Sequence, residues 1–187
     1  TGGDGNDTIT LTETTAKADV VIVDSVAGSI DSITGFAEGT GVDVLKMSVA
    51  NGNAGLAGKF EMGSNAAIVN GSTVVILDVG GSGVDYGAAA NTMMFVSGDY
   101  STTDLLETAI ETGGARDVVV DAHGVGDAIL ILYDNGTDSY LAQAAFTGAS
   151  SNGSKIGAGT TTITNLVTFK GIADADTFVA NDFAFIT

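Results

Sequence analysis

The chain has 187 residues, enough for one sizeable hydrophobic core or two small ones. Six Lys and Arg stand against 23 Asp and Glu, a formal charge of −17 that excludes the basic patch needed by nucleic-acid or anionic-membrane partners. Yet 44% of the residues are hydrophobic, which excludes a disordered acidic tail.

Residues 2–10, Gly2-Gly3-Asp4-Gly5-Asn6-Asp7-Thr8-Ile9-Thr10, spell one full copy of the nonapeptide G-G-x-G-x-D-x-U-x. Its chemistry is legible from the residue types. Glycines allow a tight turn with carbonyls pointing inward. Asp7 adds a hard carboxylate suited to Ca²⁺, and Thr8-Ile9-Thr10 reads as a strand whose isoleucine plugs a coil. Gly2, Gly3, Asp4, Gly5 and Asp7 are therefore the candidate metal residues. The chain starts inside such a turn, so it is expected to be the downstream end of a longer repeat array. Two nonapeptides make one coil, which places the next turn on that side about 18 residues on. Asp24 lies there, read either as the ligand completing the site or as the end of a strand over 20–23.

Residues 1–48 are expected to form a degenerate repeat region, and 49–187 a β-rich capping domain. Ala18-Asp19-Val20-Val21-Ile22 is a worn repeat, followed by the acidic-then-apolar stretches 29–36 and 40–48. Further on, 73–79 reads as a buried strand and 91–97 as another. Gly80-Gly81-Ser82-Gly83-Val84-Asp85 fits the start of a second calcium loop, or a plain turn, since Tyr86-Gly87-Ala88 does not continue as a strand. Residues 101–112 read as the one helix, capped by Ser101, Thr102 or Thr103, with Leu105, Leu106, Ala109 and Ile110 on its apolar face and Gly113-Gly114 as the stop. Strands return at 117–121, 128–133 and 139–146, the last two joined by an Asn135-Gly136 hairpin, then at 160–170 and 176–186.

The 27 Gly, the absence of Pro and Trp, and the Ala, Thr and Val content fit short strands joined by glycine turns. The fold class expected is all-β: a parallel β-roll or β-solenoid stub followed by a mostly antiparallel β-sandwich or further solenoid turns, with one short helix. With no Cys there is no disulfide staple, and no apolar run approaches the roughly 20 residues of a membrane span.

Catalytic constellations are scarce. His123, the sole histidine, reads as a solvated loop residue in Asp121-Ala122-His123-Gly124; no serine sits in a nucleophile elbow, and no zinc motif exists. A non-enzymatic chain is expected.

Taken as an ordered set, four segments resemble the C-terminal region of RTX-type proteins exported by type I secretion, among them the S-layer-like surface proteins. They are the nonapeptide 2–10, Ile30 to Phe36 with Gly41 to Leu45, the hairpin 132–141, and the tail 167–172 with 181–186. The resemblance implies Ca²⁺ as cofactor, an uncleaved export signal in about the last 60 residues, a type I exporter as transient partner, and a secreted, cell-surface destination. It also implies self-assembly or a cell-surface partner, without membrane insertion. The alternative is the export and folding module of an RTX hydrolase, toxin or adhesin whose functional domain lies upstream. A carboxylate array of this density repels itself where calcium is scarce and compacts where it is millimolar, which couples binding to folding.

Overall fold

A computed structural model describes residues 5–12, 17–24, 29–39, 42–49 and 59–186. Asp7, Asp19, Asp31 and Asp43 recur at steps of 12, each followed two residues later by an aliphatic side chain: Ile9, Val21, Ile33 and Leu45. Four short strands follow that beat: β1 (Thr8–Thr10), β2 (Val20–Asp24), β3 (Asp31–Thr34) and β4 (Val44–Ser48). β1 lies parallel on β3 with Thr8 opposite Ser32, and β2 parallel on β4 with Val20 opposite Val44. One coil thus takes 24 residues, not the 18 that two nonapeptides give. Each half-coil is a 12-residue strand and connection, too long for a nonapeptide turn. Asp7 consequently stacks on Asp31.

Side chains stitch the coils at that same interval. Asp31 Oδ1 accepts the Asp7 N–H (3.0 Å), Asp43 Oδ1 the Asp19 N–H (2.9 Å), and Asn6 Oδ1 the Ile30 N–H (2.8 Å). Gly35, at φ +81°, turns the chain where a Cβ would run into the Leu11 carbonyl of the coil above.

The polypeptide then leaves and returns. β5 (Ile76–Val79), β7 (Met93–Asp99) and β9 (Ala128–Asp134) pair in parallel in one sheet. Between them the chain crosses to a second layer, as β6 (Val84–Asp85) and β8 (Val118–Val120), also parallel and joined there by β11 (Ser154–Lys155). These are further solenoid-like turns. Among the strands of the described residues, antiparallel pairing is confined to β8 with β11 and to β10 (Ser139–Phe146), which is flanked by β9 and β12 (Thr161–Lys170). The hairpin turns at Gly136, φ +77°, as the Asn-Gly signal predicts.

β12 closes the architecture. Its end runs parallel to β3, with Phe169 opposite Ile33, while β13 (Phe183–Ile186) runs parallel to β4 with Phe183 opposite Leu45. The C-terminal strands therefore form a third rung beneath the two coils. The large sheet reads β1-β3-β12-β10-β9-β7-β5, and the smaller ones β13-β4-β2 and β11-β8-β6. The molecule is mostly β, as the composition predicts, and its sheets are parallel and mixed.

Every residue of β9 is buried because both faces of the central sheet are covered. Leu130, Leu132, Met93 and Phe95 face one core with Val21, Leu45 and Phe183; Ile129, Ile131, Met94 and Val96 face another with Leu106, Ile110 and Val118. Phe36, Phe169 and Phe178 cluster in the first core, with ring centroids 4.7–5.9 Å apart, each side chain stabilising by about 2–3 kcal/mol on burial. The helix α1 (Thr103–Ile110) covers the second core, and the Thr102 side chain accepts from Leu105 N. Its acidic residues dock it: Glu107 accepts the Ile163 N–H, and Glu111 accepts from Gly159 and Thr161.

Candidate cation sites

Of the loop residues singled out in the sequence, Gly2, Gly3 and Asp4 lie outside the described residues. Gly5 adopts φ +103° and donates its N–H to Ser29 Oγ (3.1 Å). Asp7 Oδ2 is a buried carboxylate oxygen with no hydrogen-bond partner among the described residues. An orphaned, buried carboxylate oxygen of this kind fits a hard cation such as Ca²⁺. Asp24 is the last residue of β2, in register with Ser48, and its side chain lies outside the described residues. The structure does not set Asp24 in register with Asp7, because the coil is longer than 18 residues. Asp43 already accepts at both oxygens, from Asp19 N and Ala37 N. It holds coils together at positions where a nonapeptide would hold metal.

A second acidic site went unread in the sequence. Asp78, Asp99 and Asp134 sit at or near the C-terminal ends of β5, β7 and β9, where parallel register brings them to one rim, with Asp99 directly opposite Asp134. Asp174 and Asp176 approach from a short 3-10 turn, Ala175–Thr177. Together these five carboxylates line a cleft of about 870 Å³ that no Lys, Arg or His lines. Asp134 is only 4% exposed; burial pushes its carboxyl above the usual range, the Ala175 and Gly136 N–H groups oppose that rise, and the touching Asp99 carboxyl reinforces it. Asp176 is raised chiefly by the negative charge of Asp174, then by burial. Like charges crowded at one rim favour a cation between them. Among the described residues no three His, Cys, Asp or Glu side chains form a compact metal-ligating group. The available signal was an aspartate at the end of each successive parallel strand.

The remaining candidates resolve locally. Gly80 to Gly83 make a turn gripped by Asp117, which accepts from Ser82 Oγ and Gly83 N and pairs with Lys155 at 2.6 Å. That lysine, followed by Ser82, holds the Asp117 carboxyl well below the usual range. His123 is not solvated: it is 7% exposed, stacked on Phe146, with Nδ1 2.6 Å from Ser150 Oγ. Burial depresses its pKa below the usual 6.5. His123 does sit in a loop, as its sequence suggests, but it is buried because its stacking partner lies 23 residues along the chain, at the end of β10. Asp127 does not complete a triad, since its oxygens accept from Lys59 N and Gly124 N. Glu61 is buried beside Lys59 (3.1 Å), and burial pushes its pKa up to about 7. No helix among the described residues is long and apolar enough to cross a membrane. Comparison with known proteins finds no matching family model, no matching curated protein and no matching solved structure.

Proposed function

We propose that this chain is a non-catalytic, calcium-binding C-terminal domain of a secreted, RTX-like bacterial surface protein of the S-layer type, compacting on calcium after export. The observation that carries the reading is the five-aspartate cleft, in which Asp99 and the buried Asp134 meet with no lining cation. The orphaned Asp7 Oδ2 supports it from the opposite end of the large sheet. A formal charge of −17 makes calcium the natural counter-ion for both. Residues 128–187 hold β9, β10 and β12, the centre of the large sheet, so a chain passing unfolded through a type I exporter would complete its core only with those strands in place. Isothermal calorimetry with Ca²⁺, paired with light scattering, tests the reading. Binding at about 10⁻⁴–10⁻³ M is expected. Growth into large particles would support surface assembly, a monomer throughout would support a folding module, and no heat at all would sink the calcium assignment.

A further inference from the structure

The segment 59–68 folds back on itself and docks against the head of the central sheet. The Ile68 N–H donates to the Phe60 carbonyl and the Met62 N–H to the Ala66 carbonyl, while Phe60 and Ile68 bury their side chains in the first core. Main-chain bonds join it to the body: Glu61 N–H to Ala128 O, Ala128 N–H to Lys59 O, and Gly63 N–H to Asn91 O. Asp127 clamps the same seam, accepting from Lys59 N on one side and Gly124 N on the other. Glu61 is set into that seam at 3% exposure, and its Oε1 is buried and accepts no hydrogen bond among the described residues. The space beside it measures about 10 Å³, room for one water at most, so a carboxylate there is not hydrated in place. Its neighbours offset little of that. The Lys59 ammonium lies 3.1 Å from Oε1, but it is 43% exposed and also donates to the Asn65 carbonyl. Asp127 brings a second acid from the loop before β9, and Asp121 and His123 line the same space from the loop after β8. Tyr86 gives its hydroxyl to the Glu61 main-chain carbonyl and not to the carboxyl group.

We propose that Glu61 is a proton-operated latch: protonated, it closes the segment 59–68 onto β9 by sharing its proton with Asp127, and ionised, it loosens that segment while the rest of the fold stays intact. Burial first, and the charge of Asp127 with it, push the Glu61 pKa up to about 7 against the pull of Lys59. The closed segment therefore holds the proton more tightly than the open one, in which Glu61 returns to its ordinary 4.5. Opening grows more frequent as pH rises from about 4.5 to about 7 and levels off above that. His123 stays with the body, because Phe146 and Ser150 hold its ring on the far side of the seam. The latch is a property of this seam and stands apart from calcium.

The test is hydrogen exchange of the full chain in chelator, read as protection factors so that the intrinsic rise of exchange with pH divides out. Protection of the Glu61, Ile68 and Ala128 amides should fall at least about tenfold between about pH 5 and about pH 7.5, while Ile131 and Leu132 at the centre of the sheet keep theirs. Glu61→Gln, which fixes the neutral shape, should remove the fall. Lys59→Met, which withdraws the cation, should carry the fall to higher pH. The Ile131 and Leu132 amides report whether each variant is folded. Protection that ignores pH in the unaltered chain would overturn the proposal, and so would the same fall persisting in a folded Glu61→Gln. An NMR titration of the Glu61 carboxyl carbon checks it with no substitution at all: a midpoint near neutrality is expected, and one near the ordinary 4.5 would overturn the latch.

Discussion

Replacing Asp43 with alanine removes two hydrogen bonds at once, each 2.9 Å long: one to the Asp19 N–H of the coil above and one to the Ala37 N–H of its own coil. Asp43 is 3% exposed, while Asp19 and Ala37 are half-buried, so water re-solvates their N–H groups only in part. Leaving a buried donor unsatisfied costs about 1–3 kcal/mol. Partial exposure puts each of these near the lower end, so Asp43→Ala should lose about 2–4 kcal/mol. Asp43→Asn keeps one acceptor and turns an amide donor toward the other N–H, for a loss of about 1–2 kcal/mol. Urea unfolding reads both, with an unchanged m-value showing that stability alone has moved. Because the carboxylate binds main chain, the losses should match in chelator and in calcium. A loss confined to calcium would make Asp43 a metal ligand. A loss below about 0.5 kcal/mol in both media would refute the stitching role altogether.

Gly35→Ala should cost more than about 2 kcal/mol, since φ is +81° and the new Cβ meets the Leu11 carbonyl, whereas Gly71→Ala, at φ +76° in open space, should cost about 1 kcal/mol; thermal melts of the pair separate clash from dihedral strain. Glu61, with a folded pKa of about 7 against 4.5, binds its proton more tightly when folded. Its stabilisation is therefore full below about pH 4.5 and fades as pH rises through about 7, and Glu61→Gln should flatten that decline in a series of unfolding midpoints. His123 runs the other way: its depressed pKa gives stability present above 6.5 and lost as pH falls below it, so His123→Phe should blunt the acid loss, and an unaltered profile would contradict the buried neutral ring. Asp99→Asn relieves the contact with Asp134; it should stabilise the chain in chelator and shrink the gain from calcium, as differential scanning calorimetry in the two media would show.

What the sequence disclosed follows the range of the interactions. The β9–β10 hairpin and α1 were legible because their determinants are local: continuous apolar runs flanking Asn135-Gly136, and a capped amphipathic stretch ended by glycines. The 12-residue aspartate beat was also present in the sequence. The lone intact nonapeptide masked it, since it suggests a nine-residue rhythm that Asp19, Asp31 and Asp43 do not keep. The pairing of β12 with β3 had no local signal, because Val167 and Asp31 meet across most of the chain. The acidic cleft was hidden for a related reason. Its carboxylates come from four separate segments, and only the parallel register of β5, β7 and β9, with the 3-10 turn beside them, brings them to one rim.

The most direct test of the calcium reading is the melting temperature in chelator, in millimolar Mg²⁺ and in millimolar Ca²⁺ at matched ionic strength. Calcium alone should raise it by several degrees, about the shift that 1–2 kcal/mol produces in a domain of this size. Three coincident curves would contradict the account and leave the aspartates of the cleft without a bound ion to explain them.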